Sequence, residues 1–517
     1  MKYSKLGVTT TVGLLLGTAV LAASAVPAAA IPEASLTGVA ANSAFGLQNN
    51  VLAVGLTQSA VAYGQLPLTN PDGGISHYGY NTVSGGPLTQ DPAEAFKTEP
   101  DKNVYLVFGG KHYLFQGHEG APQGYVTRIN LDEPDLTKRV TLIASTRSDG
   151  QPVPTFDGIT WDPFTQQLLV TAEAAAPVGG VFAISLDANG DPVDSTLVPL
   201  PALGSGGYEG VQNDSAGNVW LVEDIGGAAA GGGKVPNSFV YRFTPTTVDD
   251  LSAGTLQALQ VQRSDGTAVT AKQLADNPSD SFISDLHHYG TSFSTKWVTV
   301  PLGADSNATA GAAAAGATPF KRPENGVFRP GTNFGEFYFT ETGDTDSAST
   351  LPGAYGGIFR LTQSAPTSQT GTLAPVFLGD LTHTGLDNIQ FARKDKLLVV
   401  EDAGDKLHAQ RDALDSGYLL DVGTHRKNGP TAVRWLAEGR DASAAYDHTF
   451  SPGYNDGDNE ITGIHISNGD VTTAGILGAQ VPQLVSGQYR TFWTQQHGDN
   501  VTWELHAPAG THNSGLE

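Results

Sequence analysis

The feature that most constrains the fold of this chain is a repeated unit of two β-rich strands. In each copy an apolar strand ends in an acidic residue, a glycine-rich or polar loop follows, and a second strand begins with an aromatic or small residue. Residues 168–173 followed by residues 180–184 form a clear copy. The five recognisable copies have their acids at Glu119, Glu173, Glu223, Glu341 and Glu401.

The spacing of these acids indicates a β-propeller. Three of the four intervals between them are about 50 to 60 residues long, which suits units of two or more strands. Each propeller blade is a small antiparallel sheet that buries its faces against its neighbours, so such units close into a ring. We therefore predict an all-β chain folded as a β-propeller, with six blades favoured over five. A pair of β-sandwiches and an irregular double barrel are the competing architectures.

Other stretches refine this prediction. The interval between Glu223 and Glu341 is about twice as long as the others, and residues 296–300 could supply a strand of a further unit within it. Residues 492–494 and 501–503 have the composition of strands that complete the ring. Residues 303–318 are rich in alanine and glycine and predict a flexible insertion. We expect a single β-propeller domain over residues 31–517.

The N-terminus has the pattern of an export signal. Lys2 and Lys5 precede an apolar run, and small residues lead to Ala30. This pattern predicts a cleaved signal peptide over residues 1–30. No later stretch is long and apolar enough to span a membrane. We therefore expect a secreted or periplasmic protein.

The composition excludes several kinds of site and partner. The chain contains no cysteine, which excludes disulfides, thiolate metal sites and cysteine nucleophiles. Its 52 acidic residues outnumber its 28 lysines and arginines, and the net charge of -24 argues against nucleic acid and anionic membranes as partners. The acidic excess serves either solubility or the binding of multivalent cations. Nothing in the sequence indicates the oligomeric state.

The repeat also predicts where the acids lie. Residues at equivalent positions of successive blades fall on one ring, so the five glutamates of the repeat are expected at one end of the central channel. Carboxylates crowded in this way repel one another unless protons or cations intervene, and we therefore expect metal on the channel axis. The alternative is that each glutamate caps its own hairpin by accepting hydrogen bonds from backbone N–H groups.

Arg322 and Glu324 form a second candidate site. Pro323 lies between them and disfavours helix, so the two side chains are expected to project from the same edge of an extended segment. A guanidinium beside a carboxylate suits an anion and a cation bound together. The alternative is an ordinary surface ion pair on a loop.

Motifs narrow the chemistry further. The sequence has no Gly-x-x-x-x-Gly-Lys, Gly-x-Ser-x-Gly or His-Glu-x-x-His motif, which argues against nucleotide hydrolysis, serine-esterase and zinc-protease chemistry. Clusters of oxygen donors occur instead, and they favour calcium or magnesium over zinc or copper. A metal cluster beside an arginine suits a phosphoryl group. The clusters are Tyr208-Glu209-Gly210, Arg322-Pro323-Glu324, Gly385-Leu386-Asp387-Asn388 and Gln496-His497-Gly498-Asp499-Asn500.

The order of these short motifs resembles the PhoX-type bacterial alkaline phosphatases, from about Asp101 to Glu504. The resemblance implies an exported six-bladed β-propeller with calcium and iron at the channel mouth. It also implies that Glu209, Glu324 and Arg322 are catalytic, with Arg322 holding the substrate phosphate. The metal ligands that it implies are Glu173, Glu209, Glu324, Asp387, Glu401 and Asp402. The motifs that carry it are Ala172-Glu173, Tyr208-Glu209, Arg322-Pro323-Glu324, Leu386-Asp387-Asn388 and Gln496-His497-Gly498.

This chain departs from the family pattern at two positions. The family's cysteine, which bridges its irons, aligns with Ala172, and the second of its paired glutamates aligns with Ala174. A thiolate-bridged di-iron centre therefore cannot form. We expect calcium as the cofactor, with iron a weaker candidate.

Together these features predict an exported, calcium-dependent phosphoesterase that acts on small phosphomonoesters. Two alternatives remain open. One is a phytase-like or lactonase-like propeller hydrolase, which shares the acidic channel but does not need Arg322. The other is a non-catalytic secreted propeller in which calcium is structural. His497 is either a ligand or a hydrogen-bonding residue, and the second role is preferred.

Overall fold

The fold is seen in a computed structural model of the chain, and the prediction of an all-β β-propeller is confirmed. The predicted signal peptide lies outside the described residues. None of the described helices is long and apolar enough to cross a membrane. The structure describes residues 36–46, 48–82, 95–119, 123–230, 232–346, 348–424, 427–440, 460–497 and 500–507.

Short strands are the main secondary structure of the described chain, and four short α-helices interrupt them. The strands are β1 (Val51–Leu52), β2 (Thr57–Ala62), β3 (Pro67–Asp72), β4 (Ile75–His77), β5 (Tyr80–Thr82), β6 (Ala95–Lys97), β7 (Pro100–Phe108), β8 (Lys111–His118), β9 (Tyr125–Asn130), β10 (Val140–Ala144), β11 (Thr146–Arg147), β12 (Ile159–Asp162), β13 (Gln167–Ala172), β14 (Gly180–Ser185), β15 (Thr196–Pro199), β16 (Tyr208–Asn213), β17 (Val219–Glu223), β18 (Ala229–Ala230), β19 (Gly233–Lys234), β20 (Val240–Thr247), β21 (Asp250–Gln262), β22 (Phe293–Thr299), β23 (Gly326–Phe328), β24 (Glu336–Glu341), β25 (Gly357–Thr362), β26 (Thr370–Leu378), β27 (Leu386–Phe391), β28 (Lys396–Glu401), β29 (Ser416–Asp421), β30 (Ala432–Ala437), β31 (Glu460–Ser467), β32 (Arg490–Gln496) and β33 (Val501–His506). The α-helices are α1 (Ala271–Asp276), α2 (Ser281–Leu286), α3 (Ala308–Ala314) and α4 (Gly404–Arg411).

Within the described residues, four-stranded antiparallel units repeat around the channel. Units 1 to 5 are β7–β10, β12–β15, β16–β17–β20–β21, β23–β26 and β27–β30. Unit 6 combines β31, β32 and β33 with β2. The first strands of the units, here called the inner strands, are β7, β12, β16, β23, β27 and β31. They contact one another in that order, and β31 contacts β7, so the ring is closed.

The two ends of the described chain meet in unit 6. Strand β2 pairs antiparallel with β33, with Ala60 opposite Trp503. The predicted C-terminal strands at residues 492–494 and 501–503 lie in β32 and β33 of this unit. Because the chain has no cysteine, ladder hydrogen bonds and packing close the ring without a covalent link.

The hydrophobic core lies between adjacent units and not on the channel axis. Each of six buried apolar clusters is built from the facing sheets of two neighbouring units. Between units 3 and 4, for example, Trp220 packs edge to face on Phe328 with ring centroids 5.1 Å apart. This packing leaves the axis to polar side chains.

One sequence prediction fails in the long interval between Glu223 and Glu341. Strand β22, which covers most of residues 296–300, does not begin a further unit, because it pairs with β21 of unit 3 and β26 of unit 4. Residues 303–318 contain helix α3, whose first turn is capped by the Asn307 side chain. Gly311 lies so close to Val300 that a Cβ atom would come within 2.7 Å of its side chain. The small residues therefore permit close packing, and the predicted flexibility of this insertion stays a prediction.

The segment 468–489, which connects β31 to β32, crosses the ends of the inner strands far from their starts. Its Val471 carbonyl accepts a hydrogen bond from the Trp161 indole at 2.8 Å, and its Gly469 carbonyl accepts one from the Val107 N–H at 2.7 Å. Its Ile476 and Leu477 pack against the clusters of units 3, 4 and 5. This end of the channel is therefore covered.

Gly158 allows a test of the contact between inner strands. A Cβ atom at Gly158 would lie 2.1 Å from the Glu209 carbonyl oxygen, so Gly158→Ala forces the strands apart. We expect a loss of about 1 to 3 kcal/mol in the free energy of unfolding, the usual cost of overpacking, measured by thermal or urea denaturation. Gly226→Ala is the control, because nothing lies within 4 Å of its added Cβ. Equal stability of the two variants would contradict the packing described here.

Candidate active site

The inner strands all start at the same end of the channel, and each carries an acidic residue there. Three of these acids are the second residue of their strand, one is the first residue, and two lie just before the strand. The acids are Asp101, Asp157, Glu209, Glu324, Asp387 and Glu460.

β-Bulges turn several of these carboxylates toward the channel. Along a regular strand, successive side chains point to opposite faces. The pairing shifts by one residue across Asp101 in unit 1, across Glu209 in unit 3 and across Asp387 in unit 5, so two residues oppose one on the partner strand. A bulge re-aims the side chain at such a position, which allows an acid to leave the sheet face and enter the channel.

Seven carboxylates form three overlapping groups, here called the carboxylate cluster. In each group the carboxylate oxygens lie within 4.8 Å of one another. The groups share Asp157 and Glu209, so the cluster is continuous. The groups are Asp101–Asp157–Glu209, Glu209–Glu324–Asp387 and Glu119–Asp157–Glu173.

Crowding and burial disfavour ionisation of the cluster. Burial, and then the charge of Glu324, raises the pKa of Glu209 well above its usual range. Burial, and then the charge of Glu119, likewise raises the pKa of Asp157 well above its usual range. Glu173 is exposed at the edge of the cluster, and desolvation followed by the charge of Asp224 raises its pKa to about 8. Protons or cations must therefore offset the repulsion.

The residues of the cluster fit hard divalent cations. All the candidate ligands are carboxylates, and oxygen donors are what calcium and magnesium prefer. The Oδ1 atom of Asp101 is buried and has no hydrogen-bond partner in the described part of the chain, which leaves it available to a cation. The side chain of Asn388 donates to both carboxylate oxygens of Asp387 at 2.8 Å and holds that group in place.

Arg322 lies at the edge of the cluster and is held by two acids. Its guanidinium makes a two-pronged ion pair with Asp224, with Nε–Oδ1 at 2.9 Å and Nη2–Oδ2 at 2.6 Å, and its Nη2 lies 3.5 Å from Glu324 Oε1. Burial alone would lower the pKa of Arg322, but Asp224 and Glu324 raise it above its usual range. Because both acids are buried, this is not the solvated surface pair of the alternative interpretation.

The backbone at Arg322 differs from the prediction. Its φ is 57°, in the left-handed region and not in the extended region expected before a proline. The expectation of an extended segment was therefore wrong, although Arg322 and Glu324 do point toward one site. A non-glycine residue in this conformation is held there by its surroundings, here by the ion pair with Asp224.

Three members of the predicted ring of five glutamates lie away from the cluster. Glu223, Glu341 and Glu401 each accept a backbone N–H, from Phe239, Lys321 and Thr384 respectively, at 2.9 to 3.1 Å. This is the hairpin-capping role of the alternative interpretation. Glu401 is further engaged by the Arg411 guanidinium at 3.0 Å, so the prediction of a ligand role for it is not supported by its position.

The predicted ligand Asp402 and the ambiguous His497 lie near a further acid of the channel mouth. Burial, and then Asp402, raises the pKa of Glu460. The His497 ring approaches Glu460 through Nε2 at 3.0 Å and Glu99 through Nδ1 at 3.2 Å. His497 is therefore a hydrogen-bonding residue between two acids, as the preferred interpretation had it.

Sequence reasoning missed several members of the site, namely Asp101, Lys102, Asp157 and Asp224. Lys102 is buried, and its ammonium contacts the side-chain oxygen of Asn325. Burial lowers the pKa of Lys102 to about 8, against the opposing effect of the surrounding carboxylates. The sequence does contain a pattern that could have located some of these acids. It is an acidic residue, then a glycine or asparagine, then an aliphatic residue. It occurs at Asp157-Gly158-Ile159, Glu209-Gly210-Val211 and Asp387-Asn388-Ile389.

The chain is similar to one protein family and to several solved structures. A family model described as alkaline phosphatase PhoX matches residues 181–482. No curated protein matches the sequence. Among solved structures, PhoX of Pseudomonas fluorescens in complex with vanadate, a transition state analogue, has a TM-score of 0.57 at 13% identity, covering 92% of this chain and 98% of that one. A GH43_1 enzyme of Xanthomonas citri complexed with xylotriose has a TM-score of 0.33 at 12% identity, covering 65% of this chain and 90% of that one.

The raised carboxylate pKa values predict an unusual pH dependence when divalent cations are removed. An acid whose folded pKa lies above its unfolded pKa stabilises the fold fully only below the unfolded value, and this contribution is lost as the pH rises through the folded value. In a chelator, the melting temperature should therefore fall between about pH 5 and about pH 8, the upper limit being the pKa of Glu173. Saturating calcium should reduce this slope, as scanning fluorimetry would show. A melting temperature that rises over this range in the chelator would contradict the electrostatics described here.

Proposed function

The chain belongs to the PhoX alkaline phosphatase family, and from this premise we propose that it hydrolyses small phosphomonoesters at the carboxylate cluster, with calcium as its cofactor. Membership of the family supports a metal-dependent phosphoric monoester hydrolase. The choice of calcium and of small substrates is our proposal, and it rests on the residues of the site.

The observation that carries the proposal is a guanidinium beside a group of oxygen donors. Arg322 lies 3.5 Å from Glu324, which itself belongs to the group with Glu209 and Asp387. A phosphoryl group has several oxygens that carry charge in the transition state. A planar guanidinium can bind one edge of it while cations neutralise the others.

The donor set supports calcium over a thiolate-bridged iron centre. Ala172, at the position that aligns with the family's cysteine, is buried at the end of β13 and offers no ligand atom. The carboxylates of Glu209, Glu324 and Asp387 would hold the ions, with Glu173 in the adjoining group. When bound, calcium supplies positive charge that neutralises phosphoryl oxygens and makes water more acidic.

The protein's own groups position the substrate and the ligands. Asp224 fixes the plane of the Arg322 guanidinium through its two-pronged contact. The Thr342 hydroxyl donates to Glu324 and orients that carboxylate. In this scheme no side chain attacks phosphorus, because water is the nucleophile. The protein contributes orientation and charge, which are the main sources of catalysis in phosphoryl transfer.

We also propose that the protein acts outside the cytoplasm. Lys2 and Lys5, the apolar run that follows them and the small residues before Ala30 support a cleaved signal. A chain without cysteine is compatible with an oxidising compartment, because it has no thiol to oxidise.

A second candidate is a non-catalytic propeller in which calcium is structural. The observation that favours it is the close ion pair between Arg322 and Asp224, since a guanidinium already bound to a carboxylate has fewer donors left for phosphate. Ala172 favours it too, because the family's bridging ligand is missing.

Arg322→Gln separates these candidates. In the catalytic case we expect kcat/KM for a chromogenic phosphomonoester to fall by about 100- to 1000-fold, the usual effect of removing one preorganised donor, with the calcium content unchanged. Hydrolysis by the unmutated protein should disappear on chelation and return with calcium. Arg263→Gln is the control, because Arg263 forms an ion pair with Asp280 away from the cluster, with its Nη2 donating to both carboxylate oxygens.

The opposite outcome is equally clear. Calcium found by elemental analysis, no hydrolysis by any form of the protein, and only a lower melting temperature after chelation would replace the phosphatase proposal with the structural one.

A further inference from the structure

Lys102 is a buried positive charge inside the carboxylate cluster. Its side chain is only 3% exposed, and it follows Asp101 in the bulge of the first inner strand. The acids whose charges act on it are all members of the carboxylate cluster. They are Asp387, Asp101, Glu209 and Asp157.

The Lys102 side chain spans the channel. Lys102 lies on β7 of unit 1, and its ammonium contacts the side-chain oxygen of Asn325, directly before β23 of unit 4. In the ring order of the inner strands, units 1 and 4 are opposite each other. The ammonium therefore lies within the channel and not at the wall of one unit.

In the other units, the residue at the position equivalent to Lys102 is uncharged. The residue after the inner-strand acid is Gly158, Gly210, Asn325, Asn388 or Ile461 in units 2 to 6. Two of these positions have no side chain, and a Cβ at Gly210 would lie 3.0 Å from the Glu324 carbonyl oxygen. Unit 1 thus places a long cationic side chain where the other units have glycine or an uncharged side chain.

We propose that the Lys102 ammonium takes the place of one divalent cation in the carboxylate cluster and so limits how many ions the cluster binds. This inference rests on the proposed function only in that the cluster binds calcium. An ammonium carries three donors and no acceptor, so it satisfies carboxylates as a cation does but cannot ligate a metal. A second cation close to it would be repelled.

The test compares calcium binding by the full chain with binding by Lys102→Met and Lys102→Gln. Methionine keeps the length of the side chain without its charge, and glutamine keeps a polar end that can reach Asn325. At saturating calcium, elemental analysis should find one more ion per chain in both variants than in the unmutated protein. Calorimetric titration should give a calcium affinity at least about tenfold higher. In a chelator both variants should melt at a lower temperature than the unmutated protein. Adding calcium should remove this difference in melting temperature.

Lys321→Met is the matched control, because Lys321 is also buried but pairs with Asp344 through both carboxylate oxygens at 2.9 and 3.0 Å. This variant should lose stability without a change in the number of bound ions.

An unchanged ion count and affinity in both Lys102 variants would overturn the inference, and so would failure of both to fold even in millimolar calcium. Hydrolysis is measured separately. Extra calcium bound by the Lys102 variants without hydrolysis by any form would refute the proposed function and leave the inference about Lys102 intact. Hydrolysis by the unmutated protein with an unchanged ion count in the variants would refute the inference and leave the proposed function intact.

Discussion

Repulsion among buried carboxylates is the constraint on which the rest of this site depends. The ring of inner strands brings an acid from each unit to one end of a narrow channel, where burial makes every negative charge costly. Positive charges nearby offset this repulsion. Arg322 pairs with Asp224, Lys102 lies within the cluster, and the oxygen ligands that remain suit divalent cations.

The same crowding connects stability with activity. A cluster of acids that needs cations in order to ionise contributes little to the stability of a fold, but it would concentrate positive charge where the proposed function needs to bind a phosphate. The apolar clusters between units must therefore hold the ring together whatever the charge state of its axis. The residues that stabilise the fold, between the units, are therefore different from the residues of the candidate site, on the channel axis.

The sequence predicted the propeller better than it predicted the site. Strand composition and the period of the repeat are local properties, so they survive in a single sequence. Which side of a strand faces the channel depends on pleat and bulge, and an error of one residue reverses it. For this reason the repeat predicted Glu223 at the end of the channel, whereas its neighbour Asp224 is the residue that contacts Arg322 there. The resemblance to a family named Glu209, Glu324 and Asp387 as metal ligands, and the structure brings these three carboxylates into one group, but Lys102 belongs to none of the motifs that carry the resemblance.

The segment 468–489 crosses the far ends of the inner strands, at the end of the channel opposite the carboxylate cluster. Arg322 lies at the edge of the cluster, at the other end. If calcium and a phosphomonoester bind as proposed, both would reach the cluster from the end where Arg322 lies, and an anion bound there would hold the ions beneath it. The rate at which calcium leaves the protein would then measure how often that anion position is empty.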